Sequence, residues 1–212
     1  MSNNNSIDAI IFDLDGTIYN KKWLKLFFSL SFIFNLPVLL AFLKIRKLNY
    51  GVDYRSKEEF NKNIILALSK KTSLSIKQSE VFINIFMKKF ISILKRKYKP
   101  NKDIIQVISY YYDKGVKIVC LSDYSMVKER LQALGVDIDK FAIIKSSEDY
   151  GTLKPAVTPF LKIAEELKIL PSNIIVVGDR DDTDGEGARK SGMRFIKYPE
   201  NFNILTKTII NE

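Results

Sequence analysis

The sequence predicts an α/β fold in which a parallel sheet carries helices on both faces, broken by a long all-α insertion. Three observations predict it. Residues 7–12, 116–121, 141–144, 174–177 and 194–196 form short runs rich in Ile, Val or Phe, bounded by turn residues, and read as buried strands. Amphipathic helical patterns alternate with the last four of these runs, and such alternation gives a parallel sheet covered on both sides. Residues 21–102 contain no such run. They hold 19 Lys/Arg against 4 Asp/Glu, whereas the remaining residues hold 15 against 20, so the chain's net charge of +10 belongs to the insertion. The expected division is a core of 1–20 and 101–212 and a helical unit of 21–100.

The first strand ends in Asp13-Leu14-Asp15-Gly16-Thr17. Aspartates two residues apart at a strand end put two carboxylates on one side of the chain, and Gly16 lets the chain turn away sharply. An enzyme needs that pair when one carboxylate attacks and its neighbour moves a proton. The insertion opens with residues 26–43, 18 residues without a charge, flanked by Lys21, Lys22 and Lys25 and by Lys44, Arg46 and Lys47. Asn35 and Pro37 interrupt this run, which predicts two short helices with a bend. Phe60, Ile64 and Leu68 mark a further amphipathic helix. Phe82, Phe86, Phe90 and Ile93 mark another, with Ser75 and Gln78 at capping-box spacing before it and Lys95, Arg96, Lys97 and Lys99 at its end.

Asn101 is placed to cap a helix carrying Ile104, Ile105, Ile108, Tyr111 and Tyr112, stopped by Gly115. Strand 116–121 delivers Ser122. Met126, Val127, Arg130, Leu131 and Leu134 give the next helical stripe, stopped by Gly135. After strand 141–144, Lys154-Pro155 precedes a helix with Phe160, Ile163, Ala164 and Leu167. Strand 174–177 ends in Gly178-Asp179, with Asp184 five residues beyond. Ligands in such sheets bind at the carboxyl ends of the strands, where Asp13, Ser122 and Asp179 all fall.

The chain has no histidine, which excludes a Ser-His-Asp triad, a histidine-ligated zinc and a histidine general base together. The single cysteine, Cys120, falls inside a strand and is expected to be an inert buried thiol. One cysteine forms no intramolecular disulfide, which suits a reducing, cytoplasmic setting. The first apolar run contains Asp8 and lacks a basic leader, so it is not expected to act as a signal peptide.

The ordered set Asp13-x-Asp15-x-Thr17, Ser122, Lys154 and Gly178-Asp179 with Asp184 resembles the haloacid dehalogenase-like (HAD) hydrolase superfamily over residues 7–20 and 103–197. The resemblance implies a Rossmann-like core, with the insertion standing where that family carries a variable cap. It implies a phosphatase acting on a phosphomonoester with magnesium. Asp13 would be the nucleophile that forms an aspartyl-phosphate, and Asp15 the acid and base. Asp13, the Asp15 carbonyl and Asp179 would hold magnesium, with Asp184 on a ligand water or orienting Lys154. Asp181 and Asp182 lie closer to Asp179, but the helical register from Asp184 through Ala188 favours Asp184. Thr17, Ser122 and Lys154 would serve the phosphoryl group. Family dehalogenases lack the second acid because halide leaves without a proton, so Asp15 favours phosphate esters. A phosphomutase would share every one of these residues.

Two further expectations concern the insertion. Residues 26–43 reach the lower bound for a membrane-spanning helix. A single crossing would nevertheless separate Asp13 from Ser122, Lys154 and Asp179, so a re-entrant or surface-lying hairpin on the inner membrane face fits better, its basic flanks meeting anionic headgroups. Some family phosphatases acting on phosphatidylglycerophosphate carry an apolar segment at a similar place, which implies a lipid phosphate as one candidate beside small soluble phosphates. The alternative is that Phe27, Phe28, Phe32 and Phe34 form the insertion's own core or a dimer seam. A catalytically idle, basic binder of nucleic acid or an anionic surface is the rival to an enzyme. The insertion's aromatics fall at core spacing and no nucleic-acid motif appears, which argues against nucleic acid.

Overall fold

A computed structural model describes residues 6–210; residues 1–5 and 211–212, at the outer ends of the expected core, lie outside the described residues. The sheet has five parallel strands, β1 Ala9–Phe12, β2 Lys117–Ser122, β3 Ile143–Ser146, β4 Ile174–Gly178 and β5 Arg194–Lys197, in the order β3-β2-β1-β4-β5. Each predicted strand run is present. The third begins at Ile143 rather than 141, because the Phe141 amide is spent closing a tight turn onto the Ile138 carbonyl.

Alternating side chains on the strands feed two separate apolar layers. Ile10, Phe12, Ile118, Cys120, Ile175 and Val177 face one; Ala9, Ile11, Val119, Leu121, Ile174 and Val176 face the other. The second layer is covered by α7 (Thr158–Leu167) through Phe160, Ile163 and Ala164, and by α8 (Glu186–Lys190) through Ala188. The first is covered by α5 (Lys102–Asp113), α6 (Val127–Leu134) and α9 (Asn203–Ile210), the last of which the sequence pattern did not announce. Asn101 precedes α5 as expected, but its side chain does not cap it. The amide donates instead to the Thr17 carbonyl at 2.7 Å, tying the start of α5 to the loop after β1. Met126 likewise stands outside α6, in the left-handed region before its first residue.

Four helices fill the insertion: α1 Leu24–Ser31, α2 Leu36–Leu48, α3 Lys57–Lys71 and α4 Ile76–Lys97. The predicted capping box before α4 forms, Ser75 and Gln78 each bonding the other's backbone amide. The uncharged run is broken into two helices as predicted, but the 82° break falls at Phe32, and Pro37 sits in the first turn of α2; among the described residues no single helix is long and apolar enough to cross a membrane. Phe28 stacks on Phe86 (ring centroids 4.8 Å) and Phe32 packs on Phe82 (5.3 Å), so these two phenylalanines join the insertion's core. Phe34 does not, being 96% exposed.

The strand order reverses beside β1. The chain leaves β1 for β2 and β3 on one side and returns to β4 and β5 on the other. Phe12 stands opposite Cys120 and Val177, so the ends of β1, β2 and β4 are level. Residues 108 and 165 positions apart in sequence therefore meet at one edge, where doubly wound sheets bind ligands.

Candidate active site

Asp13 is the first residue past β1, and its amide donates to the Val177 carbonyl at 2.9 Å, which locks it to β4. One carboxylate oxygen accepts from Lys154 Nζ at 2.7 Å, the other from the Thr17 hydroxyl at 3.2 Å. Lys154 also reaches Asp184 Oδ1 at 2.5 Å, so a single buried ammonium lies between two buried carboxylates. Burial is the largest influence on Asp13 and pushes its carboxyl up to about 8, against the opposing pull of Lys154. Burial opposes the Lys154 charge too, but Asp13 and Asp184 outweigh it and hold the ammonium well above the ordinary lysine range.

Asp15 has a different environment. Its carboxylate accepts from the Tyr19 hydroxyl (2.6 Å), the Ser122 hydroxyl (3.1 Å) and the Arg130 guanidinium. Burial alone would raise this carboxyl, but the Arg130 charge and hydrogen bonds from Arg130, Tyr19 and Ser122 overcome burial and hold it below the usual range. Ser122 Oγ also accepts from Arg130 Nη1 at 2.9 Å. Asp13 and Asp15, two residues apart, thus answer to different partners: a lysine shared with Asp184 for the one, and an arginine, a tyrosine and a serine for the other.

The metal question turns on the donor set. Carboxylate oxygens of Asp13, Asp179 and Asp184 lie within 4.8 Å of one another. Lys21 Nζ sits 2.6 Å from Asp179 Oδ2 and 2.9 Å from the Asp15 carbonyl, so a cationic group already bridges the remaining two oxygens. Gly16 has φ +105°, and a Cβ there would overlap the Asp179 carboxylate. Gly178 is required by a similar closeness to Asp184. All-oxygen donors with net negative charge fit a hard cation such as magnesium. Asp181 and Asp182 turn outward, to Arg189 and Arg180 respectively, while the π turn Asp181–Gly185 swings Asp184 into the buried centre.

All seven residues singled out from the sequence, Asp13, Asp15, Thr17, Ser122, Lys154, Asp179 and Asp184, converge here. Sequence reasoning missed three others. Arg130 was read only as part of a helical stripe, yet it is fully buried, a rare placement for arginine without a partner. Its position eight residues after Ser122, on the apolar face of α6, was the available signal. Tyr19 and Lys21 carried no signal beyond nearness to Asp15. Cys120 is fully buried, and burial pushes its thiol up, as an inert core cysteine requires.

A doubly wound sheet ending in a carboxylate pair, a buried lysine and an acidic cluster defines an α/β enzyme. The chain belongs to the haloacid dehalogenase-like hydrolases, whose family profile matches residues 7–192. It is 33% identical over 97 residues to the glyceraldehyde 3-phosphate phosphatase of Methanopyrus kandleri, a match spanning 45% of this chain and 41% of that protein. The fold is similar to that of a HAD-hydrolase from Bacillus subtilis bound to magnesium (TM-score 0.64, 18% identity, 95% of this chain and 100% of that one). It is also similar to that of the 2-haloacid dehalogenase from Pseudomonas syringae pv. Tomato DC3000 (TM-score 0.61, 19% identity, 91% and 86%).

Proposed function

We propose that this chain is a magnesium-dependent phosphatase that hydrolyses a phosphomonoester through an aspartyl-phosphate on Asp13. The observation that carries this reading is the meeting of Asp13, Asp15, Lys154 and the Asp179–Asp184 cluster at one edge of the sheet. Asp13 is held by Lys154 and Thr17 with one carboxylate edge toward the acidic cluster. Its oxygen attacks phosphorus, the ester P–O bond breaks, and the alcohol leaves with a proton from Asp15. Water then attacks the aspartyl-phosphate, gives its proton to Asp15, and releases inorganic phosphate and free Asp13.

Magnesium held by Asp13, the Asp15 carbonyl and Asp179, with Asp184 beside them, would supply positive charge against the phosphoryl oxygens. Lys154 offsets the charge shared by Asp13 and the phosphate, and Asp184 keeps that lysine in place. The three donors on Asp15 favour its base form, so an incoming ester must displace one of them for Asp15 to carry the proton. Asp15 itself supports ester chemistry over dehalogenation, since an alkoxide needs a proton and halide does not. The phosphatase named among the relatives supports the same substrate class. A phosphate carried by a lipid and one carried by a small soluble molecule present the same group to this site.

The test is turnover of phosphomonoesters with magnesium and with a chelator, and reductive trapping of the intermediate. Magnesium-dependent release of phosphate, with the trapped adduct mapped to residue 13, is expected. Asp13→Asn should lose about 10⁴-fold or more in rate while keeping the native circular dichroism spectrum. Wild-type turnover by Asp13→Asn would overturn the nucleophile assignment. Transfer of the phosphoryl group to a second hydroxyl in preference to water would make the protein a mutase.

A further inference from the structure

We infer that the bent helix pair α1–α2 is a docking surface for an anionic lipid bilayer, which seats the active site at headgroup level. The apolar run of residues 26–43 is divided between two faces. Phe28, Phe32, Leu39 and Phe42 turn inward onto the insertion's core. Leu26, Leu30, Ile33, Phe34 and Leu40 turn outward, together with Trp23, the only tryptophan. Phe34, just past the 82° bend, is 96% exposed. Soluble surfaces rarely gather so many large apolar side chains in one short segment without something to cover them.

Charge identifies what covers them. The exposed Lys22 and Lys25 flank one end of the patch, and the exposed Lys44 and Lys47 the other, within an insertion of 18 basic and 4 acidic residues. A second copy of this chain would bring these rims together and repel itself. Anionic headgroups instead meet the lysines while the apolar vertex enters the boundary below them. Helices of 8 and 13 residues are too short to span a bilayer, but suit lying in its interface.

The same segment is rooted in the catalytic site at both ends. Lys21, just before α1, bonds the Asp15 carbonyl and Asp179. Arg46, in the last turn of α2, donates to the Asp123 carbonyl at 2.6 Å, beside Ser122, and pairs with buried Glu148 at 2.5 Å. A bilayer that holds the bend therefore also positions the site. Given the phosphatase reading above, the substrate class this favours is a phosphomonoester displayed on the membrane surface.

Vesicle flotation of the full-length protein tests this. Vesicles of phosphatidylcholine alone and of phosphatidylcholine with phosphatidylglycerol serve as probes. The protein should float with the anionic vesicles, more weakly with the neutral ones, and Trp23 emission should shift to the blue on binding. Ile33→Asp/Phe34→Asp should weaken binding at least about tenfold, and it should leave turnover of a water-soluble ester unchanged because both side chains are exposed and touch no catalytic group. Failure to float with either vesicle, or flotation that survives the double substitution, would overturn the proposal. So would a concentration-dependent dimer that the same substitution dissolves, because the patch would then belong to a second copy. Flotation does not require catalysis: binding without turnover would sink the phosphatase reading alone, and turnover without binding would sink the docking surface alone.

Discussion

The end of the sheet and the helical insertion solve the problem of charge in opposite ways. At the sheet end, charged groups are buried or half-buried and held in ion pairs. Lys154 joins Asp13 and Asp184, Arg130 joins Asp15, and Lys21 joins Asp179. In the insertion, the basic side chains are almost all solvated while large apolar groups stand beside them in the open. A buried ion pair gains little net stability over an apolar replacement, but breaking one is costly. The paired region is therefore organised around its buried charges, and the solvated one is the part that the bilayer proposal concerns.

Four measurements would break or sharpen that contrast. The largest effect is expected at Asp15. Asp15→Asn should slow turnover by about 10²–10⁴-fold, and the loss in the first step should shrink for esters whose alcohols leave without a proton. Equal loss across leaving groups of very different basicity would remove Asp15 from the proton path. Next is Lys154→Met, which strands two buried carboxylates around an apolar chain. Denaturant unfolding should show a loss of about 3–5 kcal/mol, partly restored by millimolar magnesium. A loss under 1 kcal/mol would mean that the pairing at the sheet end is not what holds it together.

A smaller effect is expected at Lys21, whose ammonium occupies the gap between the Asp15 carbonyl and Asp179. Lys21→Gln should tighten magnesium binding in the absence of substrate by roughly five- to tenfold, on the order of 1 kcal/mol for one competing cation. Calorimetry or the emission of nearby Trp23 would read it. Weaker magnesium binding would make Lys21 a supporter of the site and not a rival of the metal. The smallest effect links the two regions directly. Lys57 of α3 pairs with Asp149, which follows β3. Burial raises the Asp149 carboxyl, but Lys57 and the Ser146 donors bring it below the usual range. A carboxyl lowered in the folded state stabilises above its unfolded pKa and loses that contribution as pH falls through the folded value. Lys57→Met should cost under about 1 kcal/mol at neutral pH, since Lys57 is largely exposed, and the difference from wild type should fade below about pH 4. A difference that grows in acid would contradict the assignment.

Sequence by itself determined the parallel sheet, its five strands and the seven side chains gathered at its end. Strand composition and period are local properties, and Asp13, Ser122 and Asp179 follow their strands directly. It also pointed to two helices with a bend in the uncharged run, although the break falls at Phe32, ahead of Asn35 and Pro37. Only the tertiary structure decided which groups complete the site. Arg130 lies in an apolar stripe, which marks it as a buried arginine in need of a partner but does not say which one, and the carboxylate it meets is 115 positions away. Arg46 and Lys21 looked like flanks of an apolar run and turned out to be its anchors. The division of residues 26–43 into a buried and an exposed face was likewise beyond the sequence. An apolar run covers both faces of a helix alike, and only the position of Phe82 and Phe86 on α4 settles which side is inside.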